Sequence, residues 1–210
     1  MNDQSTLAAD HQSGGRRNEI LDAALRVFSE QGFHKATIKR IAERAKLRSP
    51  ALIYWYFENK WDLFQCAILD RAPILKLVSA REEMFDLPPR QALRQIAGTY
   101  LESLDGPVAK RLFRVFISEA VRNRQMAQHF AKRGPLMVAE VVAAYLRHQI
   151  ELGRLRPHDA ESSARAFMGM VVVYVLAREL FPPLAAGFPE RDRYVEDLVG
   201  IFLDGLGQED

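Results

Sequence analysis

The chain has 210 residues, of which 48% are hydrophobic and 27% charged, and its net charge is +2. This is the composition of a globular protein with ample length for a core, and composition alone assigns it no nucleic-acid or membrane partner. A single cysteine, Cys66, excludes an intramolecular disulfide and fits a reducing cytoplasm.

Residues 1–15 are polar, rich in Gly, Ser and Asp, and carry no apolar segment of the signal-peptide kind, which predicts a disordered arm. From Arg17 helical spacing takes over. Ile20, Leu21, Ala24, Leu25 and Phe28 fall on one face, and Gly32 is a natural stop. Thr37 is the N-cap of a second helix whose apolar stripe is Ile38, Ile41, Ala42 and Ala45. Ser49-Pro50 opens a third, with an N-cap hydroxyl followed by proline in the first turn. Asn59 caps a fourth, with Trp61, Phe64, Ala67 and Ile68 on one side. Pro73 and the stretch Asp86–Pro89 punctuate the chain. Beyond them helices are expected near 89–104, 109–122, 124–133, 135–152, 159–181 and 190–206. The most apolar stretch, Ala166–Ala177, lies between Arg165 and Arg178. It is shorter than the roughly 20 residues a membrane span needs and reads as a buried helix. The expected fold is all-α: an arm at 1–15, a domain at 16–64, and a larger helical domain at 65–210.

Charge is unevenly distributed. Between His34 and Lys60 stand Lys35, Lys39, Arg40, Arg44, Lys46, Arg48 and Lys60 against Glu43 and Glu58, an excess of +5 in a chain whose total is +2. The remainder therefore carries −3, and the positive charge is concentrated where phosphate would be met. Within it lies the apolar run Ile53-Tyr54-Trp55-Tyr56-Phe57. On an α-helix, with Ile53 set at 0°, Phe57 falls near 40°, and Pro50 and Tyr56 flank them at roughly 60° and 300°. Trp55 falls near 200°, Ala51 near 160° and Leu52 near 260°, on the opposite side, with Tyr54 at the edge. Ile53 and Phe57 are thus expected in the core, while Ala51, Leu52 and Trp55 look outward and need a partner.

The sequence RRNEILDAALRVFSEQGFHKATIKRIAERAKLRSPALIYWYFENKWDLF resembles the N-terminal DNA-binding region of the TetR family of bacterial transcriptional regulators. The resemblance rests on the spacing I-L-x-A-A-L-x-x-F, the Gly32-Phe33 turn, Thr37, I-A-x-x-A, and Y-W-Y-F-x-N-K, and spans about residues 16–64. It implies an N-terminal three-helix DNA-binding domain with a helix-turn-helix, followed by a ligand-binding and dimerisation domain. By the same resemblance residues 49–57 are the recognition helix in the major groove. Tyr54 and Lys60 stand where phosphate is contacted, and Thr37 stands where a helix N-terminus holds one. Ala51 and Trp55 occupy base-facing positions, and Leu52 can pack on a thymine methyl. Tyr56 is either a groove-edge packing residue or a phosphate contact, and Lys39, Arg48 and Ser49 complete the candidate DNA contacts. The family's usual turn A-G-V-S reads Ala45-Lys46-Leu47-Arg48-Ser49 here. Lys46 replaces the turn glycine and one extra residue precedes the helix, which leaves the register of Arg48, Ser49 and Ala51 against DNA open.

An operator-binding module of this size needs a second copy to read two half-sites. The segment 159–181, apolar nearly all round with small Ala164 and Gly169, and the last helix, with Tyr194, Leu198, Ile201, Phe202 and Leu206 on one face, are the candidate homodimer helices. The family fold builds its dimer from the last two long helices of each subunit, in agreement. An effector pocket is implied by the resemblance alone; Phe113, Phe116, Met137, Tyr145, Phe167, Met170 and Tyr174 would suit a small apolar or aromatic ligand. The histidines are scattered and no His/Cys pair has metal-ligand spacing. No Gly-rich phosphate loop or nucleophile elbow occurs, so neither a cofactor nor an enzymatic activity is expected. Cys66 reads as a packing residue. The expected function is a homodimeric repressor that binds a palindromic DNA operator and is released by an unknown small molecule. The alternatives are a helical regulator without a ligand, and a helical enzyme or carrier that retains a helix-turn-helix.

Overall fold

The computed structural model describes residues 3–70, 78, 81–133 and 135–206, with no strand among them. The chain divides into two compact units, Met1–Arg71 and Ala72–Asp210.

The first unit holds α1 (Asp3–Lys35), α2 (Ile38–Arg44), a 3-10 helix (Pro50–Trp55) and α3 (Lys60–Leu69). α1 starts at Asp3, inside the stretch expected to be a disordered arm; a sequence of Ser, Ala, Asp and Gln does not stop a helix already nucleated downstream. Its described packing face begins at Ile20 and continues through Leu21, Ala24, Val27 and Phe28. Gly32 interrupts it with φ 74 and ψ 174, a conformation that essentially only glycine enters, and one further turn follows to Lys35. α3 lies against α1 and buries Leu63, Phe64, Ala67, Leu69 and Cys66. The unit therefore closes beyond residue 64, because a cut there would divide a helix whose far half is still in the core. Phe28, Phe33, Trp61 and Phe64 form an aromatic cluster, with Phe28 and Phe64 edge-on at 4.9 Å between ring centres. Arg17, near the start of the packed part of α1, pairs with Asp70, just past the end of α3, at 2.6 Å.

The second unit holds α4 (Arg81–Phe85), α5 (Pro89–Glu102), α6 (Pro107–Arg122), α7 (Arg124–Arg133), α8 (Pro135–Glu151), α9 (Ala160–Leu180), α10 (Pro182–Ala185) and α11 (Arg191–Leu206). The long helices lie within a few residues of their expected places. Pro89, Pro107, Pro135 and Pro182 each stand first in a helix, where the missing N–H costs nothing. Asp159 caps α9, its carboxylate accepting from the Ser162 N–H at 2.6 Å. α9 packs on α8 and α5, and α11 packs on α5, around Leu93, Ile96, Val142, Leu146, Phe167, Val171 and Val199. Two buried polar side chains on α8 satisfy the loop between α4 and α5. The Tyr145 hydroxyl donates to the Leu87 carbonyl at 2.8 Å, and the Gln149 amide donates to the Phe85 carbonyl at 2.9 Å. α9 is long and apolar enough to cross a membrane; in this fold Phe167, Met168, Val171, Tyr174, Val175 and Ala177 bury it in the unit's core.

Candidate nucleic-acid interface

The Thr37 hydroxyl caps α2, accepting from the Arg40 N–H at 3.2 Å. α2 ends at Ala45, and Lys46 follows with φ 54, the left-handed conformation. The Lys46 N–H reaches the Glu43 carbonyl at 3.1 Å and the Leu47 N–H reaches the Ala42 carbonyl at 2.9 Å, the paired bonds of a Schellman turn. The extra turn residue is absorbed after this point: Arg48 lies at an exposed bend, and Ser49 caps the next segment by accepting from the Ala51 N–H at 3.3 Å.

The recognition segment departs from expectation in kind. Pro50–Trp55 is a 3-10 helix, with the Leu52 N–H bonded to the Ser49 carbonyl at 3.2 Å, and not an α-helix over 49–57. Six residues is longer than the three or four usual for this tighter helix, and the run lies between the Ser49 cap and the C-cap at Tyr56. The consequence is geometric. At about 120° per residue, residues three apart eclipse, so Ala51 and Tyr54 share one ridge and Leu52 and Trp55 another. Ile53, on the remaining ridge, is 0% exposed, and Phe57, beyond the helix end, is 2%. Trp55 is 80% exposed and Tyr54 53%. Tyr54, expected at the edge, thus joins the outward surface, while Leu52 and Tyr56 are half-buried and Ala51 is exposed. The guanidinium of Arg17 lies over the Phe57 ring at 5.3 Å, so the residue that anchors the recognition segment is also clamped to α1.

The cations around this segment fall into two groups. Arg44 pairs with Glu30 at 2.7 Å and Arg16 with Glu19 at 2.6 Å. Lys39, Lys46 and Arg48 are exposed and have no ion pair among the described residues. Lys60 is partly buried: its ammonium donates to the His34 carbonyl at 3.3 Å and sits 4.6 Å from the centre of the Phe33 ring. It thereby ties the start of α3 to the corner after Gly32, a role the sequence did not suggest.

In the second unit the aromatic and methionine residues expected to line a ligand site differ in their exposure among the described residues. Tyr145 and Phe167 are wholly buried, Phe116 nearly so, and Phe113, Met137 and Met170 are half-buried. Of the seven, Tyr174 alone borders a cavity of about 370 Å3, whose apolar wall is Leu101, Leu104 and Val175. Its rim is charged, which the apolar reading missed: Lys110, Arg178 and Glu179 stand there. The Arg178 guanidinium donates to the Tyr174 hydroxyl at 2.7 Å, and Glu179 accepts from Arg114 at 3.0 Å. Burial raises the phenol of Tyr194, whose ring stacks on Tyr174 at 4.5 Å.

α9 has two faces of opposite character. Tyr174, Val175 and Arg178 border the cavity on one, while Ala166, Gly169 and Val173 are exposed on the other. A Cβ built on Gly169 meets nothing within 4 Å, so packing inside the subunit does not require glycine there. On α11, Ile201 is 69% exposed beside Gly200 and Gly205.

Residues 20–67 match the family of bacterial regulatory proteins called the tetR family, and residues 91–206 match the C-terminal domain of AefR-like transcriptional repressors. The transcriptional regulator AcrR of Shigella flexneri is 29% identical over 192 residues, which cover 89% of each chain. Among solved structures, the SmeT–triclosan complex superposes with a TM-score of 0.69 at 21% identity over 93% of each chain. FadR of Bacillus subtilis in complex with stearoyl-CoA gives 0.66 at 17% identity, over 89% of this chain and 97% of that one. The matches over residues 20–67 and 91–206, on a capped helix-turn-helix followed by a helical unit, make this chain a member of the TetR family: a DNA-binding transcriptional regulator and not an enzyme.

Proposed function

We propose that the protein is a homodimeric, cytoplasmic repressor that binds a palindromic operator and releases it when a small molecule occupies the second unit. The observation that carries the DNA reading is the division of one short aromatic run: Ile53 and Phe57 are consumed by the core, and Tyr54 and Trp55 are left in water beside cations without carboxylate partners. Burial of the second pair needs a polyanion with apolar surface, which the major groove provides in its phosphates and thymine methyls. In this reading Tyr54, Tyr56, Thr37, Lys39, Arg48, Ser49 and Lys60 position the backbone, and Ala51, Leu52 and Trp55 face bases.

The dimer face is the exposed side of α9 with that of α11. Glycine in a helix interior costs about 1 kcal/mol against alanine, and the open space at Gly169 supports close approach of a second chain there. The effector lies in the cavity beside Tyr174, its apolar or aromatic body on Leu101, Leu104 and Val175 and its polar end at Arg178. Since α9 carries both cavity and dimer face, a ligand that moves α9 changes how two recognition segments are spaced. The coupling is reciprocal, so an effector must bind free protein more tightly than DNA-bound protein.

Selection of bound duplexes from a random pool tests the first part: a palindrome is expected, and selection of no common sequence would refute operator binding. Gly169→Arg tests the second. It is expected to yield monomers by light scattering and to lose most operator affinity, because one module makes too small a contact alone.

A further inference from the structure

Lys46 is the only described residue other than glycine with a positive φ. The left-handed conformation crowds the Cβ of an L-residue against the backbone, which is why glycine or asparagine usually follows a helix end of this kind. Lys46 has no ion pair among the described residues to offset that strain. Strain retained at an exposed, unpaired lysine points to something the free protein does not contain.

The surroundings say what that is. Lys46 borders a surface cavity of about 300 Å3 together with Arg16, Arg48, Leu52, Trp55 and Tyr56. Leu52 and Trp55 belong to the recognition segment and Tyr56 is its C-cap, Arg16, Lys46 and Arg48 are cations, and Leu47 completes a lining with no acidic residue. Leu52 and Trp55 both border the cavity, so a strand whose bases met Trp55 would bring its phosphates close to these cations. We propose that Lys46 is a DNA-phosphate contact, aimed by its left-handed turn, and that with Arg48 it clamps the strand beside the Leu52–Trp55 ridge. This rests on the reading of the first unit as an operator-binding module.

The test is a salt titration of the full-length protein on a labelled mixed-sequence duplex long enough for two half-sites. Wild type, Lys46→Asn, which tolerates the left-handed turn without charge, and Lys46→Arg, which keeps the charge, are compared. The Asn variant is expected to melt no lower than wild type, to lose roughly five- to tenfold in affinity at about 0.1 M salt for each subunit engaged, and to reduce the slope of log K against log salt by about 0.9 per subunit. The Arg variant is expected to retain both affinity and slope. An Asn variant with wild-type affinity and slope, or an Arg variant as weak as the Asn one, would overturn the assignment. Failure of the wild-type protein to bind duplex at all would instead sink the operator reading, so the two failures are distinguishable.

Discussion

Trp55 in the first unit is 80% exposed, whereas Tyr145 and Phe167 in the second, singled out by the same standard of size and apolarity, are wholly buried. The difference shows when an aromatic residue carries functional information. Around Trp55 helical phase leaves a large ring outside after the core positions are filled, and no structural need explains it. In the second unit both of these residues already have a structural use: Phe167 packs on Phe202 at 5.1 Å, and Tyr145 both fills the core and donates to Leu87. Ligand-lining and core-filling residues are drawn from one apolar set, so residue type cannot separate them.

The largest effects are expected where the two units agree, at aromatics that only pack. Phe57→Ala should cost about 3–5 kcal/mol, and Phe167→Ala a similar amount, read as lowered denaturation midpoints. If Phe167→Ala left stability unchanged and altered only a ligand response, the contrast between the units would collapse. An intermediate effect is expected at Gly32. Its φ of 74 and ψ of 174 are closed to side chains although the space around it is open, so Gly32→Ala should cost about 1–3 kcal/mol through the backbone alone. A neutral result would mean that the corner relaxes and that the tether from Lys60 to His34 does not hold it.

The architecture was largely legible because its signals are local. Prolines at helix starts, Ser49, Asn59 and Thr37 as caps, and Gly32 as a break each act within one turn of chain. The recognition segment was legible in its burial and not in its helix type. Ile53 and Phe57, four apart, share a face on the α form but not on the 3-10 form, and Phe57 still reaches the core because the 3-10 helix ends at Trp55 before it. That choice depends on how few residues lie between the Schellman turn at Lys46 and the cap at Asn59. The internal role of Lys60 escaped because the His34 carbonyl it binds is 26 residues away in sequence. The charged cavity rim escaped for the same reason: Lys110, Arg178 and Glu179 are brought together from distant parts of the chain.

The smallest effect on stability is expected at Trp55, the residue proposed to face bases. Trp55 donates nothing to the core, so Trp55→Ala should shift stability by no more than about 0.5 kcal/mol. Its effect should instead appear in the duplexes selected from a random pool. Tyr54→Phe, which removes a hydroxyl from the other outward ridge, should weaken binding to all duplexes alike, because a phosphate contact carries no sequence information. Trp55→Ala should relax preference at one position of each half-site, with roughly 1–3 kcal/mol of discrimination lost there. The 3-10 geometry sharpens this expectation, because Leu52 eclipses Trp55 on the same ridge and should report on a neighbouring part of the same half-site. If Trp55→Ala and Tyr54→Phe gave the same selected sequence, the ridge assignment would be wrong, and the exposed tryptophan would be a backbone-side contact like its neighbour.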